Sequence, residues 1–108
     1  MPRRLLFLCS RNQLRSPTAE EIFSHVPGIE VDSAGLSPDA EVPLSREQVE
    51  WADVILVMEK VHRERLNRQF GDALAGKRVR VLGIPDDYGF MDPKLIRLLE
   101  VKCAVYLP

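Results

Sequence analysis

Cysteine is scarce in this chain, with two in 108 residues, Cys9 and Cys103. One lies in a polar loop and the other in an apolar helical stretch, which makes no disulfide framework and suits a reducing compartment. Positive charge is not in excess either. Fifteen Lys and Arg against sixteen Asp and Glu leave a net charge of −1, which argues against a nucleic-acid surface, because phosphate-backbone affinity is carried by clustered cations. The basic run from Lys77 to Arg80 reads as the flank of a strand. Long apolar runs are missing: after Arg3 and Arg4, Leu5 to Cys9 is too short for a signal peptide or a membrane span. Repeats, low-complexity tracts and linker-like stretches are absent too. The expectation is one cytoplasmic domain over residues 1–108, with neither nucleic acid nor membrane as partner and its oligomeric state left open. No cluster of ligating side chains suggests a metal or another cofactor. His25 and His62 read as surface or packing residues on helices, and Trp51 as core.

Apolar periodicity supplies the architecture. Leu5 to Leu8 is a continuous apolar run, as in a strand buried on both faces. From Pro17 the period changes, and Ala19, Ile22, Phe23 and Val26 mark one face of a helix that Pro27-Gly28 ends. Ile29 to Ser33 forms a second strand, closed by Ala34-Gly35. An irregular segment with Pro38 and Pro43 follows, after which Ser45 and Gln48 can form a capping box for a short helix carrying Val49, Trp51 and Ala52. Val54 to Met58 is a third strand. A charged helix from about Val61 to Leu74 turns Leu66, Phe70 and Leu74 inward, with Gly76 beyond its end. Val79 to Leu82 is a fourth strand, the turn-rich stretch G-I-P-D-D-Y-G-F-M-D-P is a loop, and Asp92-Pro93 opens a last helix. Strands alternating with helices predict an α/β fold, a four-stranded parallel sheet with helices on both faces. Ligands of such sheets collect at the carboxyl ends of strands, where both Cys9 and the Asp86 loop fall.

Residues 5–22, L-L-F-L-C-S-R-N-Q-L-R-S-P-T-A-E-E-I, take an apolar strand through a short polar loop into a helix start. A loop wrapped over a helix N-terminus turns several backbone N–H groups inward, and these with the helix dipole make an anion-binding bowl. The amides of Ser10, Arg11, Asn12, Gln13, Leu14 and Arg15 would line it. Arg15 fits the rim, since a planar guanidinium can pair with two phosphate oxygens. Cys9 would sit at the bottom, where the same positive field favours the nucleophilic thiolate. The alternative is an inert buried cysteine. Ser16 could hydrogen-bond the sulfur or cap a helix starting at Pro17, and the two roles need not exclude each other. Asp86 and Asp87 form the second element of chemistry: a carboxylic acid beside the bowl can protonate a departing oxygen, and Tyr88 could stack on an aromatic ring held there. Taken alone, that pair reads more simply as solvated turn residues.

C-S-R-N-Q-L-R-S-P after an apolar strand resembles the active-site loop of the low-molecular-weight protein tyrosine phosphatase family. Val31-Asp32-Ser33-Ala34-Gly35 is similar to that family's second strand and D-S-A-G turn, residues 52–59 to its D-x-I-L-x-M-D stretch, and Ile84 to Gly89 to its P-D-P-Y-G acid loop. The resemblance implies that Cys9 is the nucleophile, Arg15 the phosphate clamp, Ser16 the thiolate partner and Asp86 the general acid, with Asn12 and Ser33 holding the loop's shape. It implies a metal-free hydrolase of phosphomonoesters, acting through a cysteinyl-phosphate on a phosphotyrosine-bearing protein or a small aryl phosphate. Gln13, Asp87 and Tyr88 would line the substrate.

Several positions depart from the family pattern. Arg11 stands where glycine is usual, which predicts an altered or strained loop backbone there. Leu14 replaces a second loop cysteine, so an intraloop disulfide is impossible, and Gln13 replaces an apolar wall. Asp87 follows Asp86 where proline is usual, leaving both as candidates for the acid. A shortened segment between Gly35 and Asp53 predicts a more open cleft. Two rivals follow: a phosphate- or phosphopeptide-binding regulatory module with weak catalysis, favoured by these departures, and a thiol-dependent arsenate reductase, which would need Cys103 as its relay.

Overall fold

In a computed structural model describing residues 3–108, four strands run parallel in one sheet. Residues 1 and 2 of the expected unit lie outside the described part. The elements follow in order as β1 (Arg3–Cys9), α1 (Arg15–Phe23), β2 (Ile29–Gly35), α2 (Arg46–Trp51), β3 (Val54–Val57), α3 (Lys60–Phe70), β4 (Arg78–Val81) and α4 (Pro93–Cys103). Short 3-10 turns, Gly71–Leu74 and Ala104–Tyr106, extend α3 and α4. The helix expected to run to Leu74 therefore changes winding at Gly71. No described helix is long and apolar enough to cross a membrane.

Strand order is β2-β1-β3-β4. The chain leaves β1 to one side for β2, then crosses back over β1 to build β3 and β4 on the other. Connections diverging from neighbouring strands leave a crevice at their carboxyl ends, between β1 and β3. β1 is central, and its apolar run divides by parity. Leu5, Phe7 and Cys9 join Ala19, Phe23, Leu95 and Leu99 in one core layer, while Leu6 and Leu8 join Val49, Ile55, Val57 and Leu66 in the other. Helices α1 and α4 cover the first face, α2 and α3 the second. Each fully buried Leu or Phe contributes about 1.5–3 kcal/mol of transfer free energy, and Leu5, Leu6, Phe7 and Leu8 are all wholly buried. Such a core holds the end of β1 rigidly under the loop that follows it.

β4 lies at the sheet edge, with Arg78 and Arg80 exposed and Val79 and Val81 half-buried. Charged side chains on an edge discourage further pairing. Helix boundaries are set by local chemistry. Ser45 and Gln48 form the anticipated capping box on α2, and the Asp92 carboxylate accepts the Lys94 amide at the start of α4, with Pro93 in its first turn.

The start of α1 differs from expectation. It begins at Arg15, with Leu14 in the cap position and no side-chain cap, so Ser16 lies inside the first turn and does not cap. Its hydroxyl is committed to Cys9 and Asn12 instead. An uncapped helix start leaves its amides available to a ligand.

Candidate active site

Cys9 ends β1 beside Gly35, its partner on β2, and its Sγ lies 2.9 Å from Ser16 Oγ. A chain of side-chain bonds surrounds that contact. Asn12 Nδ2 donates to Ser33 Oγ at 2.9 Å and to Ser16 Oγ at 3.0 Å. The Ser33 hydroxyl in turn donates a hydrogen bond to Glu20 Oε1. Ser16 Oγ, having accepted from Asn12, keeps its own proton free to donate to the sulfur. Asn12 is buried and left-handed, with φ +57°. Strain was expected at Arg11, but the positive φ belongs to the next residue, and asparagine is among the few non-glycine residues that adopt it readily. Arg11 is exposed and pairs with Asp39 at 3.6 Å.

The segment after β2 braces the loop from outside. Amides of Leu36, Ser37 and Glu41 donate to the carbonyls of Cys9, Ser10 and Arg11 at 3.0, 2.9 and 3.0 Å. Three successive carbonyls of the loop are thereby bonded to this segment. Gly35 makes this close approach possible: a Cβ there would stand 2.5 Å from Ala40 Cβ and 2.7 Å from the Ser10 carbonyl oxygen.

Arg15 is only 4% exposed. Its Nη1 donates to Glu59 Oε1 at 2.6 Å and to the Ile84 carbonyl at 2.7 Å, which spends one end of the guanidinium on protein and leaves the rest for an anion. Ile84 is itself tied down by its amide bond to Met58 O at 2.8 Å. Two residues on, Asp86 brings Oδ1 to 3.7 Å from Arg15 Nε, with 65% of its side chain exposed. Met91 N, donating to Thr18 Oγ1 at 3.0 Å, anchors the far end of this loop on α1.

A cavity of ≈ 120 Å³ opens between Cys9, Ser10, Arg11, Gln13, Leu14, Arg15 and Asp86. Of the expected substrate-lining residues, Gln13 is present, 3.4 Å from Glu41 Oε1. Asp87 and Tyr88 are not among the residues around the cavity. Tyr88 packs against the core layer under α4 and faces a different groove, with Lys94, Arg97, Leu98 and Val101. Turn geometry separates the two aspartates: Asp86 faces the cavity and the exposed Asp87 does not.

Glu59, given no role in the sequence, and His62, expected only as a surface or packing residue, complete the surroundings. Glu59 and His62 open α3, and His62 is buried at 1% exposure. Its Nδ1 accepts the Glu59 amide at 3.0 Å, and its Nε2 lies 3.1 Å from Ser10 Oγ. Burial first, then the nearby Arg15 charge, lowers its pKa from 6.5 to about 4. Glu-x-x-His at a helix start was the available signal, a spacing at which a side chain can return to the cap amide.

No protein-family model matches the sequence. The protein-arginine-phosphatase of Geobacillus stearothermophilus is 30% identical over 97 residues, which cover 68% of this chain and 66% of that protein. The chain thus spans just under two thirds of that curated relative. Among solved structures, the YwlE arginine phosphatase of the same organism superposes with a TM-score of 0.76 at 23% identity, covering 97% of this chain and 94% of the other. The tyrosine phosphatase Wzb of Escherichia coli K30, in complex with phosphate, gives 0.78 at 22% identity over 98% and 96%. Wzb of Vibrio vulnificus, in complex with benzylphosphonate, gives 0.78 at 22% over 98% and 97%. By strand order, by the loop between β1 and α1 and by these superpositions, the chain has the fold of the low-molecular-weight protein tyrosine phosphatases, and in sequence it is similar to an arginine phosphatase.

Proposed function

We propose that the chain is a cysteine-dependent phosphatase that hydrolyses phosphorylated protein side chains through a cysteinyl-phosphate. The observation that carries this reading is the seat of Cys9: its sulfur lies 2.9 Å from the Ser16 hydroxyl, in a cavity shared with Arg15 and Asp86. In the proposed reaction the sulfur attacks phosphorus in line with the leaving group. Loop amides and the free side of Arg15 hold the equatorial oxygens, whose geometry they match best as the transition state forms. Asp86 delivers a proton to the departing oxygen, then takes one from the water that releases phosphate.

Phosphotyrosine is the substrate we assign first, because a carboxylic acid at the cavity mouth suits expulsion of a phenol. Phosphoarginine is the second reading, favoured by the named activity of the curated relative and by the rim. Gln13, Asp86 and nearby Glu41 put polar and acidic groups around the opening beside the exposed Arg11, and among the described residues no aromatic ring lines it, a polar rim that a guanidinium can meet. The arsenate reductase alternative is disfavoured by Cys103, which is fully buried with its thiol pushed up to about 12 by that burial, a poor partner for disulfide exchange. The test is kcat/KM on matched phosphotyrosine and phosphoarginine peptides. Faster turnover of the first supports the primary assignment and faster turnover of the second the alternative. Phosphate binding without turnover of either would reduce the chain to a binding module. Asp86→Asn should slow cleavage by at least tenfold, in the range of positioned acid catalysis, and Asp87→Asn should have little effect.

A further inference from the structure

The buried His62 and the half-buried Ser10 form a pair that none of the proposed steps uses. A backbone N–H can only donate, so His62 Nδ1, which takes the Glu59 amide at 3.0 Å, carries no proton. In the neutral ring the proton is then on Nε2, which donates to Ser10 Oγ at 3.1 Å. Having accepted that bond, the Ser10 hydroxyl must send its own proton elsewhere. Among the described residues Oγ has no other bonded partner, and Ser10 lines the cavity next to Cys9. The loop residue after the nucleophile thus carries a hydroxyl whose orientation is set from α3. The same helix start holds Arg15 through Glu59.

We infer that His62 is a positioning residue that turns the Ser10 hydroxyl toward the bound tetrahedral anion, adding a side-chain donor to the loop amides. This rests on the reading of the loop as an anion cradle, but not on turnover. A single hydrogen bond to a charged group is worth about tenfold in affinity.

The experiment is calorimetric titration of inorganic phosphate into the wild-type chain, Ser10→Ala, Ser10→Thr, His62→Leu, His62→Gln and the Ser10→Ala/His62→Leu double variant at neutral pH. Ser10→Ala and His62→Leu should each weaken phosphate by about tenfold. The double variant should be no weaker than the worse single, because the histidine acts only through the hydroxyl. Ser10→Thr keeps the hydroxyl, and His62→Gln can accept the Glu59 amide and still offer an N–H, so both should bind within about twofold of wild type. Unchanged affinity in Ser10→Ala would overturn the inference. So would a His62→Leu loss that persists undiminished in the Ser10→Ala background, which is the mark of a merely structural role. If His62→Leu does not fold, the comparison of Ser10→Ala with Ser10→Thr and the recovery in His62→Gln decide the matter. Wild-type protein that binds phosphate but hydrolyses no phosphopeptide would end the phosphatase reading while leaving this one standing.

Discussion

Replacing His62 by glutamine should flatten the chain's stability between pH 7 and pH 5. The folded protein holds this imidazole neutral, its pKa lowered from 6.5 to about 4 by burial and by Arg15, with a smaller opposing pull from Glu59. Arg65 and Asp86 act on it more weakly, in opposite senses. Between those two values the unfolded chain binds a proton on His62 that the folded chain does not, so stability falls as pH falls through this window. Protonation would also set an Nδ1–H against the Glu59 N–H. Integrating the linkage from pH 7 to pH 5 gives a loss of about 2 kcal/mol from this group alone. His62→Gln keeps both neighbours but has no proton to gain, and every other titrating group is common to the two proteins. Guanidinium titrations at the two pH values should therefore show the wild type losing about 2 kcal/mol more than His62→Gln, an interval well beyond the error of such a difference. Equal losses in the two proteins would refute the assignment of a neutral, buried imidazole.

Further outcomes follow from the loop. Gly35→Ala places a methyl 2.5 Å from Ala40 Cβ and 2.7 Å from the Ser10 carbonyl oxygen, so the brace must shift and kcat on an aryl phosphate should fall more than tenfold. Gly71→Ala, where a Cβ meets nothing within 4 Å, is the control and should leave activity unchanged. Asn12→Ala removes both donated bonds and leaves alanine at φ +57°, for a stability loss of about 2–3 kcal/mol in chemical denaturation. Glu59→Gln weakens the hold on Arg15 Nη1 while nearly keeping its shape. It should lower kcat by about tenfold with the far-ultraviolet circular dichroism spectrum unaltered, because misplacing a clamp is felt in the rate.

Much of this could be read from residue order. The run Leu5 to Leu8 announced a strand buried on both faces, and it is the sheet's centre. The spacing of Cys9, Arg15 and Ser16 across a strand-loop-helix junction was legible as a cluster because so short a loop keeps its two ends close, and the structure sets Cys9 2.9 Å from Ser16 and in one cavity with Arg15. Contacts made across the sheet's edge were not. Nothing local in Leu36, Ser37 or Glu41 says that their amides will hold the loop's carbonyls, since such a backbone brace depends on register and not on side-chain identity. Ser16-Pro17 looked like a helix cap by propensity. A tertiary demand, the sulfur and Asn12 competing for the same hydroxyl, overrode it. Arg11 drew attention as the unusual residue, yet the left-handed turn falls one position later. Nothing in the acid loop's turn-rich sequence shows that Tyr88 packs against the layer under α4, since that contact is made with residues from a later helix.

Rapid-quench intact-mass analysis of the protein mixed with an aryl phosphate addresses the nucleophile itself. A phosphorylated enzyme formed within one turnover, lost as phosphate is released and absent from Cys9→Ala, is the predicted result. Hydrolysis that persists in Cys9→Ala, or a phosphoryl group mapped to any other residue, would contradict it.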